Sequence, residues 1–163
     1  MAQDEVLVVT GGGRGIGAAT ALLAAGRGYR VCVNYRTDDA SASRVVERIE
    51  AAGGTAVAVR ADVTTGAEVE RLFDTAEREL GPLTALVNNA GTLEQQCRLD
   101  ELDEARMNRI WTANITGPFL CAGAAVRRMS TRYGGRGGAI VNVGSAASRL
   151  GSPNEYVDYA ASK

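Results

Sequence analysis

Histidine is absent from the sequence, and this absence excludes several kinds of active site. Without an imidazole the protein cannot build a histidine-based triad, a histidine general base or a histidine-ligated metal site. The three cysteines, Cys32, Cys97 and Cys121, are far apart and form no CxxC pair, so neither a zinc ribbon nor a disulfide framework is expected. We therefore predict no metal site and reduced thiols, which are typical of cytoplasmic proteins.

Long apolar runs and a strong excess of charge are also missing. The longest early apolar run, residues 6–9, is too short for a signal peptide or a membrane span. With 18 basic and 19 acidic residues the formal net charge is −1, which gives no electrostatic reason to expect nucleic acid or an anionic membrane as a partner. A length of 163 residues with 45% hydrophobic residues suits one globular domain, and we expect residues 1–163 to form it.

Lysine occurs once, at position 163, and the other 17 basic residues are arginine. A coding bias toward arginine explains that excess. Because ammonium and guanidinium groups differ chemically, the position of the one lysine is still informative.

Predicted strands alternate with predicted helices along the chain. Fully apolar runs suit parallel strands that are covered on both faces, whereas apolar residues at helical spacing separate those runs. The predicted strands are residues 6–9, 31–33, 56–59, 83–87 and 139–143. This alternation predicts an α/β fold, a Rossmann-like doubly wound parallel sheet with strand order 3-2-1-4-5 and right-handed crossovers. Ligands of such sheets bind at the carboxyl ends of the strands, near the switch between strands 1 and 4.

Two helices in the second half of the chain carry residues of interest. A long helix is predicted over residues 103–132, with a kink at Gly117-Pro118. A last helix is predicted to start at residues 152–155, which have capping-box spacing with proline at the first helical position. It would carry Tyr156, Tyr159 and Lys163.

A glycine-rich turn between the first strand and the first helix predicts a dinucleotide site. It reads Thr-Gly-Gly-Gly-Arg-Gly-Ile-Gly over residues 10–17. Glycines let a pyrophosphate approach the N–H groups at a helix N-terminus, where the helix dipole favours an anion. The strand–turn–helix context that the motif requires is present, and a plain structural turn is the alternative. A P-loop is excluded, because no lysine occurs before position 163.

The end of the second predicted strand lacks the acidic residue that would bind the ribose of NAD. Arg36 stands near that place, and Arg14 lies in the glycine turn, so both could grip the 2′-phosphate of NADP. The alternative is two solvated surface arginines. Asp38 and Asp39 are expected to be helix N-terminal residues. Asp62, followed by Val63, is expected to border the adenine, or else to cap the next helix.

Tyr159 and Lys163 are four residues apart, so on a helix they share one face. A phenol is a poor base at neutral pH, but a nearby cation favours the phenolate. The pair can therefore exchange a proton with a carbonyl or alcohol oxygen. By itself the pattern is weak, and a surface pair is the alternative.

Further polar residues at the ends of predicted strands and in the long helix accompany the Tyr159/Lys163 pair. Ser145 closes the fifth predicted strand, Asn114 lies in the long helix, and Asn-Asn-Ala-Gly at residues 88–91 closes the fourth strand. Together with the glycine turn, Asp62-Val63 and the Tyr/Lys pair, they resemble the short-chain dehydrogenase/reductase family in order and spacing. The resemblance covers all 163 residues.

The resemblance implies a catalytic tetrad of Asn114, Ser145, Tyr159 and Lys163. Tyr159 would be the general acid in reduction and the general base in oxidation. Lys163 would favour the phenolate and hold the nicotinamide ribose. Ser145 would orient and polarise the substrate carbonyl, and Asn114 would hold a water that links Lys163 to solvent.

The implied reaction is a hydride transfer between NADP(H) and a small carbonyl or alcohol substrate, with NAD(H) as the less favoured cofactor. In similar proteins basic residues at the positions of Arg14 and Arg36 go with NADP(H) preference. The predicted cofactor-binding residues are Gly11, Gly13, Arg14, Gly15, Ile16, Arg36, Asp62, Val63, Asn89, Ala90, Gly91, Tyr159 and Lys163.

The sequence stops inside the last predicted helix. Members of the family continue for roughly half as much chain again, so the resemblance implies truncation after the Tyr/Lys motif, without the family's C-terminal strands and helices. A truncated, non-catalytic dinucleotide-binding module or an inactive fragment is therefore the alternative function. For the full-length protein we expect a cytoplasmic homodimer or homotetramer with no nucleic-acid or membrane partner.

Overall fold

The computed structural model describes residues 5–163, so residues 1–4 of the predicted domain lie outside the described residues. Within this range the strands form one parallel sheet in the order β3-β2-β1-β4-β5. The strands are β1 (Val6–Val9), β2 (Arg30–Tyr35), β3 (Ala56–Arg60), β4 (Leu83–Asn88) and β5 (Ala139–Asn142). The predicted fold class and strand order are confirmed.

Helices connect the strands and cover both faces of the sheet. They are α1 (Gly15–Ala25), α2 (Asp39–Ala51), α3 (Gly66–Leu80), α4 (Glu104–Trp111), α5 (Gly117–Met129), α6 (Ala147–Leu150) and α7 (Val157–Ser162). Short 3-10 turns occupy Leu99–Glu101 and Thr131–Tyr133. In residues 5–163 no helix has both the length and the apolar character that crossing a bilayer requires.

The central strand β1 explains why the sheet has a core on each face. Its residues are fully buried, and successive side chains of a strand point to opposite faces. Val6 and Val8 pack in the core that contains residues of α3 and α5, whereas Leu7 and Val9 pack in the core that contains residues of α1 and α2. An apolar run without polar alternation is therefore what this position requires.

The long predicted helix is present, but its irregular part precedes the predicted kink. α4 continues into α5 through a wider π-helical turn at Thr112–Thr116. Pro118 lies in the first turn of α5 and has no N–H to donate to the carbonyl of Asn114, four residues earlier. The regular hydrogen-bond ladder is therefore interrupted where Asn114 lies, and π turns are frequent at functional sites.

The predicted start of the last helix is wrong. Residues 153–155 form a turn, and α7 begins at Val157. Ser152 and Asn154 have φ values of 43° and 62°, so Ser152 lacks the extended backbone of an N-cap. A tertiary contact holds this turn, because the Cys97 N–H donates to the Glu155 carbonyl at 2.9 Å. Tyr156 is consequently the residue before α7, and Tyr159 lies inside the helix.

Candidate active site

The turn between β1 and α1 leaves its backbone open toward a cleft. Gly11 and Gly15 have φ values of 61° and 54°, in the left-handed region that favours glycine. Arg14 is the N-cap of α1, and its side chain makes no capping hydrogen bond. The first N–H groups of α1 have no helical acceptor, so they can bind an anion.

A close approach of two loops requires glycine at position 17. A Cβ atom there would lie 2.6 Å from Asn89 Nδ2 and closer still to the Gly11 carbonyl oxygen. Asn89 Nδ2 donates instead to the carbonyls of Thr10 and Gly11, at 2.9 and 3.1 Å. The glycine turn is thereby tied to the loop that follows β4.

Thr10 strengthens the same connection, although the sequence analysis gave it no role of its own. Its hydroxyl accepts the N–H groups of Asn89 and Ala90, each at 3.0 Å, and donates to the Val87 carbonyl at 3.4 Å. The signal in the sequence was a hydroxyl directly after an apolar strand.

Asn34 is a second residue that the sequence analysis missed. It is 2% exposed; its Oδ1 accepts the Gly11 N–H at 3.2 Å, and its Nδ2 donates to the carbonyls of Val59 and Ala61 at 3.3 and 3.0 Å. It therefore joins β2, β3 and the glycine turn. A polar residue at a buried position of an apolar strand was the available signal.

The cleft at the carboxyl ends of β1, β2 and β4 has a volume of about 420 Å³. It brings together most of the residues that were predicted to bind the cofactor. These are Gly11, Gly13, Arg14, Gly15, Ile16, Arg36, Asp62, Val63, Asn89, Ala90 and Gly91. The remaining predicted cofactor residues, Tyr159 and Lys163, do not line this cleft.

At the β2 end of the cleft, exposed arginines lie near carboxylates. Arg36 Nη1 is 4.0 Å from Asp62 Oδ2. Asp62 does not cap α3, whose N-cap is Thr65, so that alternative is wrong; its Oδ1 instead accepts the N–H and hydroxyl of Thr64. Burial alone would raise the pKa of Asp62, but these hydrogen bonds and the charge of Arg36 outweigh it and lower the pKa.

Asp38 is the N-cap of α2 and Asp39 its first residue, as predicted. The Asp38 carboxylate accepts the Ser41 N–H at 3.0 Å. Hydrogen bonds from the side chain and backbone of Ser41 lower the pKa of Asp38. Because that carboxylate already caps a helix, it serves a structural purpose at the rim of the cleft.

Lys163 comes directly after α7 and lies beside Tyr159 and the end of β5. Its Nζ is 6.0 Å from the centroid of the Tyr159 ring and donates to the Val143 carbonyl at 3.1 Å. Burial lowers the pKa of Lys163. The side chain therefore fixes α7 against the segment that leads into Ser145.

Asn114 and Lys163 meet at Gly91. A Cβ atom at Gly91 would lie 3.1 Å from Asn114 Oδ1 and 3.2 Å from Lys163 Nζ, closer than ordinary contact. Asn114 is buried; its Oδ1 accepts the Thr92 N–H at 2.7 Å, and its Nδ2 donates to the Thr92 carbonyl and to Ser162 Oγ, both at 2.9 Å. The side chain of Asn114 thus links the loop after β4 to α7.

A neighbouring cavity of about 380 Å³ is lined by Asn114 and Lys163, and it shares Ala90 with the cleft. Ser145 and Tyr159 do not line either cavity. Ser145 Oγ accepts the Ala147 N–H at 3.2 Å, at the start of α6. Of the predicted tetrad, the structure therefore brings Asn114, Tyr159 and Lys163 together and places Ser145 two residues after the carbonyl that Lys163 binds.

A parallel sheet with a glycine-lined cleft at its carboxyl edge, next to a cavity lined by Lys163, is typical of dinucleotide-binding proteins. The sequence pattern of the family described as short chain dehydrogenase matches residues 5–163. The chain belongs to this family, as the sequence analysis predicted.

Individual relatives agree with this assignment. The chain is 52% identical over 158 residues to an uncharacterized oxidoreductase, YgfF, of Escherichia coli, covering 97% of this chain and 64% of the relative. It is 38% identical over 163 residues to a 3-oxoacyl-[acyl-carrier-protein] reductase of Synechocystis, covering 98% of this chain and 62% of that protein.

A solved structure of a mutant short-chain dehydrogenase/reductase from Serratia marcescens superimposes with a TM-score of 0.90 at 31% identity. The match covers 99% of this chain and 63% of the Serratia chain. The chain thus spans less than two thirds of the length of these relatives.

Proposed function

We propose that this chain carries the cofactor site and the catalytic residues of an NADP(H)-dependent oxidoreductase that interconverts a carbonyl and an alcohol. The observation that carries the proposal is the position of Lys163, whose ammonium reaches Gly91, a residue of the cleft lining. A cleft suited to a dinucleotide therefore ends beside Lys163. The name of one relative, 3-oxoacyl-[acyl-carrier-protein] reductase, supports the same class of reaction.

The residues of the cleft suit a dinucleotide with a 2′-phosphate. The uncapped N–H groups at the start of α1 would hold the pyrophosphate. Arg14 and Arg36 would hold the 2′-phosphate, and NAD(H) would bind less well because no carboxylate ends β2. Asp62 and Val63 would border the adenine. The bound cofactor supplies or accepts the hydride.

Tyr159 would give its phenolic proton to the substrate oxygen in reduction and take it back in oxidation. The Lys163 ammonium lies 6.0 Å from the centroid of the Tyr159 ring, where it can hold the nicotinamide ribose beside the phenol. The Ser145 hydroxyl would donate to the same substrate oxygen. Asn114 would hold a water that links Lys163 to solvent.

One observation favours a second function, dinucleotide binding without turnover. Ser145 and Tyr159 lie outside the lining of the cavity that contains Asn114 and Lys163. A chain with this arrangement could bind the cofactor and still fail to position a substrate.

The proposal extends to assembly and location. Trp111, Phe119 and Val126, along α4 and α5, are 41%, 76% and 46% exposed, which supports a homo-oligomer formed through these helices. Cys32, Cys97 and Cys121 are free thiols in the described chain, which supports a cytoplasmic location.

The test combines cofactor binding with turnover. NADPH is titrated by its fluorescence, and reduction of ethyl acetoacetate is followed by NADPH consumption. We expect saturable NADPH binding, turnover, and a loss of turnover by roughly 10²- to 10⁴-fold in Tyr159→Phe with unchanged NADPH affinity. Tyr133→Phe is the matched control, because Tyr133 is 59% exposed in a 3-10 turn after α5.

The outcomes separate the candidate functions. Saturable binding without turnover in the parent chain supports the second function. Absence of a saturable NADPH signal contradicts both functions, and full turnover in Tyr159→Phe contradicts the acid/base role.

A further inference from the structure

A buried ion pair joins α4 to the helix that carries Tyr159. Arg106 Nε lies 2.7 Å from Asp158 Oδ2, and Nη2 lies 3.4 Å from Oδ1, so the guanidinium faces both carboxylate oxygens. The two side chains are 11% and 1% exposed. Removing such charges from water is unfavourable, so a buried pair is weak evidence for a contribution to stability.

The third nitrogen of Arg106 binds the loop that follows β4. Arg106 Nη1 donates to the Gln95 carbonyl at 2.7 Å. Two residues later, the Cys97 N–H donates to the Glu155 carbonyl, just before α7. The guanidinium thus contacts the loop of residues 92–98 and α7 at the same time.

Asp158 connects Arg106 to Tyr159, the proposed proton donor. Its Oδ1 accepts the backbone N–H of Tyr159 at 2.9 Å. Burial alone would raise the pKa of Asp158, but hydrogen bonds from Arg106 and from the Tyr159 N–H outweigh it and lower the pKa, so the carboxylate stays charged. The residue before α7, Tyr156, provides no side-chain cap, so this carboxylate takes that role.

Arg109, almost one turn further along α4, provides a direct comparison. It binds Glu94 of the same loop with both distances at 2.9 Å, but the two side chains are 57% and 28% exposed. The same residue type on the same helix thus makes an exposed pair with the loop, and such pairs contribute little. Arg106 differs by its burial and by its link to α7.

We infer that Arg106 is a positioning residue for the reaction: through Asp158 it sets the backbone of Tyr159, and through Gln95 it holds the loop of residues 92–98 against α7. The inference rests on the proposed function, in which Tyr159 is the proton donor. Arg106 needs no contact with substrate for this purpose, because it acts through groups that flank the phenol.

The test measures kcat and KM with NADPH and ethyl acetoacetate, together with hydrogen exchange at the Cys97 and Ala160 amides. Those amides bond to Glu155 and Tyr156 carbonyls, so they report the loop and the first turn of α7 without touching the altered side chains. Arg106→Gln should lower kcat by roughly 10- to 100-fold, leave the KM for NADPH unchanged and speed exchange at both amides. Arg106→Lys keeps the charge but loses the planar arrangement of donors. Its kcat and its amide exchange rates should lie between those of the parent and those of Arg106→Gln. Arg109→Gln should change none of these readouts.

Arg106→Gln leaves Asp158 buried and unpaired and could prevent folding, so a second variant is needed. The double variant Arg106→Met with Asp158→Leu replaces the pair by apolar side chains of similar size, which buried ion pairs often tolerate. We expect it to fold, to keep NADPH affinity and to show the same loss of kcat and faster exchange at the Cys97 and Ala160 amides.

A folded double variant with parental kcat, or with parental exchange at both amides, would overturn the inference. If the parent chain binds NADPH without turnover, the acid/base part of the proposed function fails and the inference fails with it. If the parent chain turns over, an unchanged kcat or unchanged amide exchange in the folded double variant defeats the inference alone.

Discussion

Arg36 is the residue that most directly tests the cofactor preference. Its ion pair with Asp62 is long, at 4.0 Å, and its side chain is 67% exposed, so the pair is weak and the guanidinium can turn to a phosphate. A charge-assisted hydrogen bond contributes about 1.5–3 kcal/mol, which corresponds to roughly 10- to 100-fold in affinity. We therefore expect Arg36→Asp to weaken NADPH binding by that factor and to improve NADH binding, measured by fluorescence titration of both.

The matched control is Arg48→Asp. Arg48 is an exposed arginine in the last turn of α2, outside the cleft. Both variants change the net charge equally, so a general electrostatic effect would appear in each. Equal NADPH affinity in Arg36→Asp and the parent would contradict the phosphate-binding role.

Some residues of the site could be predicted from the sequence, and others could not. The Tyr159/Lys163 spacing is a local pattern, because residues four apart on a helix share a face. Thr10 and Asn34 act through hydrogen bonds to residues 23 to 80 positions away, so their roles depend on the packed fold. What the sequence did offer was a polar group placed in or directly after a buried strand.

Among the helices and strands, the start of α7 differs from the sequence prediction because tertiary contacts determine it. The capping-box spacing at residues 152–155 predicts a helix start, yet the chain forms a turn with Asn154 in the left-handed region. Asparagine tolerates that region. Pairing of Cys97 with Tyr156 and the Arg106–Asp158 contact stabilise the later start at Val157. Neither contact is visible in a local window.

The Thr10 hydroxyl joins the ends of β1 and β4, and its removal should affect both elements. Thr10→Val keeps the shape but leaves the partly buried N–H groups of Asn89 and Ala90 without their acceptor. An unsatisfied donor shielded from water costs about 1–3 kcal/mol, so we expect the free energy of unfolding to fall by about that amount. NADPH affinity should fall as well, because the two loops that line the cleft separate. Urea unfolding and the NADPH titration measure the two effects.

Thr55→Val is the control for this prediction. Thr55 is exposed, immediately before β3, so the same substitution there removes a hydroxyl that water can replace. Its free energy of unfolding should stay within about 0.5 kcal/mol of the parent. A loss of stability as large as that of Thr10→Val would mean that the hydroxyl of Thr10 has no special role.

The strand order of the sheet could be predicted because few topologies are compatible with apolar strands that alternate with helices. Apolar strands that alternate with helices require parallel pairing, and right-handed crossovers then restrict the arrangement. Side-chain alternation along β1 divides the interior into a core on each face of the sheet. One of these cores contains both Cys32, from β2, and Cys121, from α5.

These two thiols make the stability of the whole chain sensitive to alkaline pH. Burial raises the pKa of Cys32 and of Cys121 from 9.0 to about 12. The unfolded chain therefore loses these protons near pH 9, whereas the folded chain keeps them until about pH 12. The stabilisation is complete below pH 9 and is lost as pH rises through this window, by about 1.4 kcal/mol per pH unit for each thiol.

Urea unfolding at several pH values above 9 checks this expectation, because it gives the slope of the unfolding free energy against pH for each variant. Cys32→Ala and Cys121→Ala should each flatten the alkaline fall of the unfolding free energy by about 1.4 kcal/mol per pH unit, whatever their stability at neutral pH. Cys97→Ala is the control, because that thiol is only partly buried. Lys163 acts in the opposite direction, since burial lowers its pKa, but it is present in every variant and cancels in the comparison. If the unfolding free energy falls equally steeply with pH in all three variants, the prediction is wrong. The core would then open locally and expose these thiols to solvent before they titrate.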